Sequence, residues 1–461
     1  MDDRTPCDLL ISGGTILDLQ ADDPLAGAAV AVDGGVIAAV GPAADLEPAW
    51  VPRRRIDASG HVVAPGFVDA HVHLASFMGA GRPYERATGP GPFSGAGDMA
   101  GVLPMVARWC AMHVPAEVMA PVVRAGLAAM LRSGFTGVVD AGGPGVEGVA
   151  LAAGAAGIRA AVGPSLADQW HDDRGTLVRQ ADAGEILAGA EDFADRHDGA
   201  GGGRVRALVS AVEVMAGSDE LLAGIAALAA RRDLPTHVHS HIDGASNRAH
   251  AEALGRTPTE RLAEAGLLSE RCTIMHAGAL SDGDVAAFAS GGVTVNHNPV
   301  GNALHGFGVA YGRSVPRLLA AGVPVVLGSD YAPSVTSPFE QVRAALAIQR
   351  EVAASDYGLT LEAALAMGFA GAVPLGRPGE LGRVAPGQLA DLVLVDTTGA
   401  HHLASTHPVP AVGLHARAGD VTTVVVGGDV VVEDGRLTHL DEAEVLAEAR
   451  ATLDLVAARA G

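Results

Sequence analysis

The chain has 461 residues, 49% of them hydrophobic and only 18% charged, so it can bury a large core. Its formal net charge of -22 repels phosphate backbones and argues against nucleic acid as a partner. Cys7, Cys110 and Cys272 are too few and too scattered for a disulfide framework or a thiolate cluster.

The opening stretch, MDDRTPCDLLISGG, has no basic run followed by an apolar core, so no signal peptide is expected and the cytoplasm is the expected compartment. Residues 1–64 then read as short strands. DLLISGGTILDL, GAAVAVDGGVIAAVG and RRIDASGHVVAPG are apolar runs separated by Gly and Asp turns. The same texture returns in GQLADLVLVDTT and VTTVVVGGDVVVEDGRL. Residues 1–64 and 378–461 are therefore expected to form one small composite β-sandwich. A terminal helix is expected in DEAEVLAEARATLDLVAARA, whose acidic start suits the helix dipole.

Residues 65–377 repeat a strand-then-helix rhythm. Eight strands are predicted, in FVDAHVHL, FTGVVDAG, RAAVGPS, VRALVSAVE, PTHVHSH, RCTIMHAG, VTVNHNP and PVVLGSD. Nearly all-apolar strands alternating with helices predict a parallel sheet covered on both faces, and eight such units predict a closed (β/α)₈ TIM barrel. An open doubly wound sheet would want a Gly-rich phosphate loop after its first strand. That strand ends instead in His71, Val72 and His73. The alanine-rich runs are broken by Arg, Asp and Gly and fall short of a membrane span, so no membrane partner is expected.

Barrel chemistry sits at the C-terminal ends of the strands. Those ends carry His71 and His73, then His237, His239 and His241, then His276, His297 with Asn298, and Asp330. Side chains two apart in a strand share a face, so His71 and His73 can reach one ion. Imidazole and carboxylate ligands suit zinc or ferrous iron better than calcium or magnesium. Asp330 reads either as a helix N-cap or as a metal contact that takes a proton from the bound water. His237, His239 and His241 spread over roughly 13 Å of strand, so one of them is a ligand. His237 reads as deeper or structural, and His241 as close to substrate. His276 reads as a ligand or as the group that holds the water. Trp109, His297, Asn298 and Asn302 are candidate substrate contacts. Tyr84 and His113 are further candidates to stack on or bond a planar ring, with local packing the plainer reading for them and for Trp109.

These motifs resemble the amidohydrolase superfamily. More narrowly, the chain is similar to the branch holding cytosine, guanine and S-adenosylhomocysteine deaminases and the triazine chlorohydrolases. VVAPGFVDAHVHL, AMLRSGFTGVVDAG, VTVNHNPVGNALHGFGVAYGRSVPRLLAAGVPVVLGSD and GELGRVAPGQLADLVLVD carry the resemblance in the family's order, over nearly the whole chain. The resemblance implies one divalent ion, Zn²⁺ or Fe²⁺, on His71, His73, His239 and Asp330. It makes Asp330 the base and His276 the residue that orients water and stabilises charge. The chain contains no lysine, which fits a single ion, since a carbamylated lysine cannot bridge two.

One departure stands out. The branch places a proton-shuttling Glu three residues after the strand-five ligand, and Ile242 stands there. Asp243, or else His241, is expected to replace it. The leading expectation is hydrolytic deamination of a nitrogen heterocycle by metal-bound hydroxide. The alternatives are hydrolysis of a cyclic amide C–N bond or of a non-amine leaving group, and, in another class, a catalytically inactive binding barrel. A small-molecule partner and a homo-oligomer, a dimer first, complete the expectations.

Overall fold

A computed structural model of the protein describes residues 4–21, 23–79, 106–172, 174–331, 337–356 and 358–460. Among them, all eight predicted barrel strands form. In chain order they are Phe67–Val72, Phe135–Asp140, Arg159–Val162, Val205–Ala207 with Val209–Ala211, Thr236–Ser240, Cys272–His276, Thr294–His297 and Val325–Leu327. Neighbours pair in parallel throughout. The third strand breaks after Val162 and resumes at Ser165–Leu166. Gly163 lies at that break, where a Cβ would fall 1.8 Å from the carbonyl oxygen of Leu208, so the two backbones approach as only glycine allows.

The barrel closes between its last and first strands. Asp330 N–H donates to His71 O at 2.8 Å, and His73 N–H donates to Asp330 O at 2.9 Å. Residues far apart in the chain are thus locked together at the point where the metal ligands were expected.

Alternation along the strands sets the two faces. Val209, Ala211, Val238, Ile274, Val295 and Val325 join the large apolar cluster with helix residues such as Leu221, Ile225 and Leu228. The alternate residues Ser210, His237, Thr273 and Thr294 lie in register across four strands and face the barrel axis. Branched apolar side chains usually fill that space.

Both ends of the chain share one nine-stranded sheet. Thr5–Ile16 pairs with Leu25–Asp33, Trp50–Asp57 and His61–Pro65, and His61–Pro65 pairs with the returning strand Leu392–Asp396. Val421–Val426, Asp429–Glu433 and Arg436–Leu437 extend the sheet. The first strand is buried on both faces. Leu9, Ile11 and Ile16 pack into one apolar cluster, while Cys7 and Leu10 pack into another with Ala29 and Ala31. The helix Glu442–Ala460 ends the described chain.

The sheet is joined to the barrel by a buried ion pair. Arg159 donates from Nε and Nη2 to Asp391 Oδ2 and Oδ1 at 2.7 and 2.9 Å, and Asp391 Oδ1 also accepts from Gly427 N–H. Removing one partner leaves the other charge buried and unpaired, which costs about 3–5 kcal/mol. Asp391→Ala should therefore lower the denaturant midpoint markedly. A midpoint within experimental error of the parent would show that water reaches Arg159.

Candidate metal centre

Five side chains converge at the C-terminal mouth of the barrel. His71 Nε2 lies 3.3 Å and His73 Nε2 3.6 Å from Asp330 Oδ1. Ligand atoms of His71, His239 and His276 fall within 4.8 Å of one another, as do those of His71, His73 and Asp330. His71 is fully buried, while the side chains of His73 and Asp330 are 19% and 11% exposed, so the group opens to the mouth through those two. Asp330 and His276 adopt left-handed backbone, with φ of 65° and 69°. Such strain in non-glycine residues concentrates at functional sites.

The donors fit a zinc-like ion. Bonds of about 2.0–2.1 Å in tetrahedral geometry separate ligand atoms by about 3.3 Å, close to the spacings seen here. His73 Nδ1 donates to Gly142 O at 2.9 Å, which leaves Nε2 as a lone pair. Both ring nitrogens of His71, and Nδ1 of His239, are buried without a hydrogen-bond partner. Orphaned polar atoms of this kind cost about 1–3 kcal/mol each, and an ion on Nε2 of His71 removes one of them. Burial pushes His71 down to about 4 and His239 well below the usual imidazole range, so both are neutral at pH 7, as ligands must be. Burial alone would raise Asp330. The His71 imidazole and the nearby rings of His276 and His73 overcome it and hold the carboxyl well below its usual range.

Some residues that hold these side chains are not evident from motif reading, and Asn302, expected as a substrate contact, holds His276 instead. Asp69 is buried beneath His71. Its Oδ1 accepts from Ser329 N–H at 2.9 Å and its Oδ2 from Gln341 Nε2 at 3.1 Å, which ties the first strand to the eighth. Burial raises it to about 7. Asp140 accepts from Leu74 N–H and Gly142 N–H at 2.8 and 2.9 Å, and so fixes the carbonyl that orients His73. Asn302 Oδ1 accepts from His276 Nδ1 at 2.8 Å, leaving His276 Nε2 for the site. Gly301 packs directly on the eighth strand end, where a Cβ would lie 2.7 Å from Ser329 O and 2.8 Å from Asp330 Cβ. Carboxylates inside otherwise apolar strand runs were the available signal for Asp69 and Asp140.

A family model described as "Amidohydrolase family" matches residues 62–431, most of the chain. The chain belongs to the amidohydrolase family. A model for an imidazolonepropionase-like composite domain of bacteria matches residues 28–50, within the composite sheet. This amidohydrolase is 31% identical over 457 residues to a 5-methylthioadenosine/S-adenosylhomocysteine deaminase of Syntrophobacter fumaroxidans, covering 96% of this chain and 97% of the relative. The solved structure of an adenosine deaminase from Xanthomonas campestris with bound zinc superposes with a TM-score of 0.84 at 25% identity, covering 99% of this chain and 100% of the other. An atrazine chlorohydrolase from Arthrobacter aurescens in complex with zinc gives 0.83 at 25% identity, covering 96% and 100%. Fold, family and ligand cluster together make this chain a metal-dependent hydrolase.

Not every expected residue reaches the site of this amidohydrolase. His241 does not. The strand ends at Ser240, and a φ of 55° at His241 breaks the alternation that would have aligned it with His239. Its ring is 2.7 Å from Ser240 Oγ and 2.9 Å from Thr259 Oγ1, and it packs edge-on to Phe288 in the helical layer. Asp243 is an N-cap. Its Oδ1 accepts from Ala245 and Ser246 N–H, and its Oδ2 from Ser246 Oγ. His297 faces outward, in register with Leu327 and 3.5 Å from Gln349 on the helix Pro338–Ala353. Its strand neighbours Asn296 and Asn298 turn inward instead and meet at Gly328, with all four amide atoms buried and unpaired.

Trp109 stands edge-on to His73, with ring centres 5.9 Å apart. His113 is exposed, and Tyr84 lies outside the described residues. His237 is one step below His239, 6.4 Å from the His71 ring. Ile242 is buried. Beyond the fourth strand, Val212, Met215 and Ala216 pack into a buried apolar cluster with Val106, Cys110 and Leu177. No helix among the described residues is long and apolar enough to cross a membrane.

Proposed function

We propose that this amidohydrolase removes an exocyclic amino group from a nitrogen heterocycle by hydrolysis. His71, His73, His239 and Asp330 would hold one divalent ion, Zn²⁺ first and Fe²⁺ second. The observation that carries the reading is the convergence of these four with His276 at the barrel mouth. The deaminase relative, aligned over 96% of the chain, supports the choice of leaving group.

An ion held there would lower the pKa of a water toward neutrality and so supply a nucleophile at pH 7. Asp330, held ionised by the imidazoles around it, would accept a proton from the attacking water. His276, turned by Asn302 to present Nε2, orients the water. It would donate to charge developing on the ring only after taking the water's proton, relayed through Asp330. Trp109, edge-on to His73, would seat a planar substrate.

The leaving amine still needs a proton. Ile242 cannot give one, and His241 and Asp243 are bound elsewhere, so it comes from Asp330 or from water. Asp243→Asn keeps the cap and His241→Gln stays in the helical layer. Both should hold kcat/KM within about threefold, or about 0.7 kcal/mol, of the parent. A loss of roughly 10²-fold with metal retained would restore a shuttle role to the residue concerned.

The same placement of His241 and Asp243 favours a second reading, in which the leaving group departs without a proton, as from a chlorinated triazine, or in which a cyclic amide is opened. A panel of 5′-methylthioadenosine, S-adenosylhomocysteine, 5′-deoxyadenosine, a chloro-triazine and a cyclic ureide separates the cases. Ammonia and chloride release and ring opening would be measured beside a metal-stripped control. Ammonia from the adenine compounds supports deamination. Chloride or ring opening without ammonia moves the assignment to the second reading.

A further inference from the structure

A second group of metal-binding side chains lies outside the barrel mouth, in the excursion between strands Leu392–Asp396 and Val421–Val426 of the composite sheet. Two short 3₁₀ turns, Ala400–His402 and Ala418–Asp420, stand at the two ends of that excursion. His401 Nε2 is 2.8 Å and His402 Nε2 is 3.4 Å from the same oxygen, Oδ2 of Asp420. The two rings are 4.3 Å apart, and the three ligand atoms lie within 4.8 Å of one another. His402 is buried, while the side chains of His401 and Asp420 are 27% and 16% exposed.

The plainer reading is a pair of hydrogen bonds pinning one turn to the other. It leaves Oδ2 crowded, because the backbone N–H of Arg417 also donates to it at 2.8 Å. Three nitrogens then converge on one oxygen, although a carboxylate offers about two lone-pair sites on each of its two. A shared cation resolves the crowding. The imidazoles turn from proton donors into lone-pair donors, and the carboxylate keeps the Arg417 contact. Tetrahedral zinc, with bonds of about 2.0–2.2 Å, places neighbouring ligand atoms about 3.3 Å apart, which the 3.4 Å from His402 to Asp420 already meets and the 2.8 Å from His401 reaches by a small opening of the pair.

We propose that His401, His402 and Asp420 form a second, structural Zn²⁺ site that clips the two ends of this excursion together, with water in the fourth position. It is separate from the barrel-mouth site and independent of the reaction assigned there. It is open on one side and has three protein ligands, so it binds more weakly and loads from free Zn²⁺.

The test is a Zn²⁺ titration of the dialysed full-length protein by calorimetry, with metal content counted by elemental analysis before and after, alongside His401→Gln and Asp420→Asn. The parent should take up about one ion per chain beyond what survives dialysis, and Zn²⁺ should raise its Tm. Both variants should keep the dialysis-resistant ion and the parent turnover while losing the additional uptake and the Tm response. His401→Gln retains an N–H that can serve Asp420, so it decides the matter if Asp420→Asn fails to fold. Absence of additional uptake by the parent, or undiminished uptake by His401→Gln, would overturn the proposal. The ion retained through dialysis reports the catalytic site separately.

Discussion

His71→Ala should abolish turnover and metal retention together. His71 is fully buried, and its Nε2 faces Asp330 Oδ1 at 3.3 Å without a hydrogen-bond partner of its own. Loss of an outer partner of a metal ligand costs about 10–100-fold. Loss of the ligand itself should exceed that, so kcat/KM should fall by more than roughly 10²-fold and the ion should leave on dialysis. His239→Ala should behave the same way, from the strand opposite. Elemental analysis and turnover would be read on one preparation, with circular dichroism to confirm the fold. Retention of the ion with a rate within about tenfold of the parent would remove His71 from the ligand set.

His276→Ala is expected to separate the two properties. Its Nδ1 is held by Asn302 at 2.8 Å, which aims Nε2 at the site, and burial holds the ring below the usual imidazole range. Removing a group that stabilises charge in the transition state costs about 10²–10³-fold in kcat. The ion should stay, because His71, His73, His239 and Asp330 remain. Asn302→Ala acts only through His276 and should cost about 10–100-fold. The double variant should then be little worse than His276→Ala, since residues acting as a unit are not additive. If His276→Ala loses metal as fully as His71→Ala, His276 is a ligand, a role that its grouping with His71 and His239 also allows.

The sequence errors near the site share one cause. Alternation of side chains holds only as far as the strand does, and within a strand it sends neighbours to opposite faces. It aligned His241 with His239, but the strand stops at Ser240 and the left-handed turn at His241 swings the ring toward Thr259. It would have set His297 opposite Asn298, because residues one apart in a strand face opposite ways. Register with Leu327 on the helix side settles that. Asp243 carried a readable local signal, a short acidic residue just ahead of the run GASNRAHAEAL, and its role as a cap follows from helix-end chemistry alone.

The sequence by itself determined the eight strands, the joining of the two chain ends, and the paired faces of His71 with His73, because periodicity of apolar residues is a local property that every short window carries. Only the tertiary structure decided which polar groups meet. Asp69 with Ser329 and Gln341, Asp140 with Gly142, and Asn302 with His276 are contacts made across strands or across loops. So are His401 and His402 with Asp420. Each depends on barrel closure or sheet return to bring distant segments within about 3 Å, the reach of a hydrogen bond, and no spacing along the chain encodes that distance.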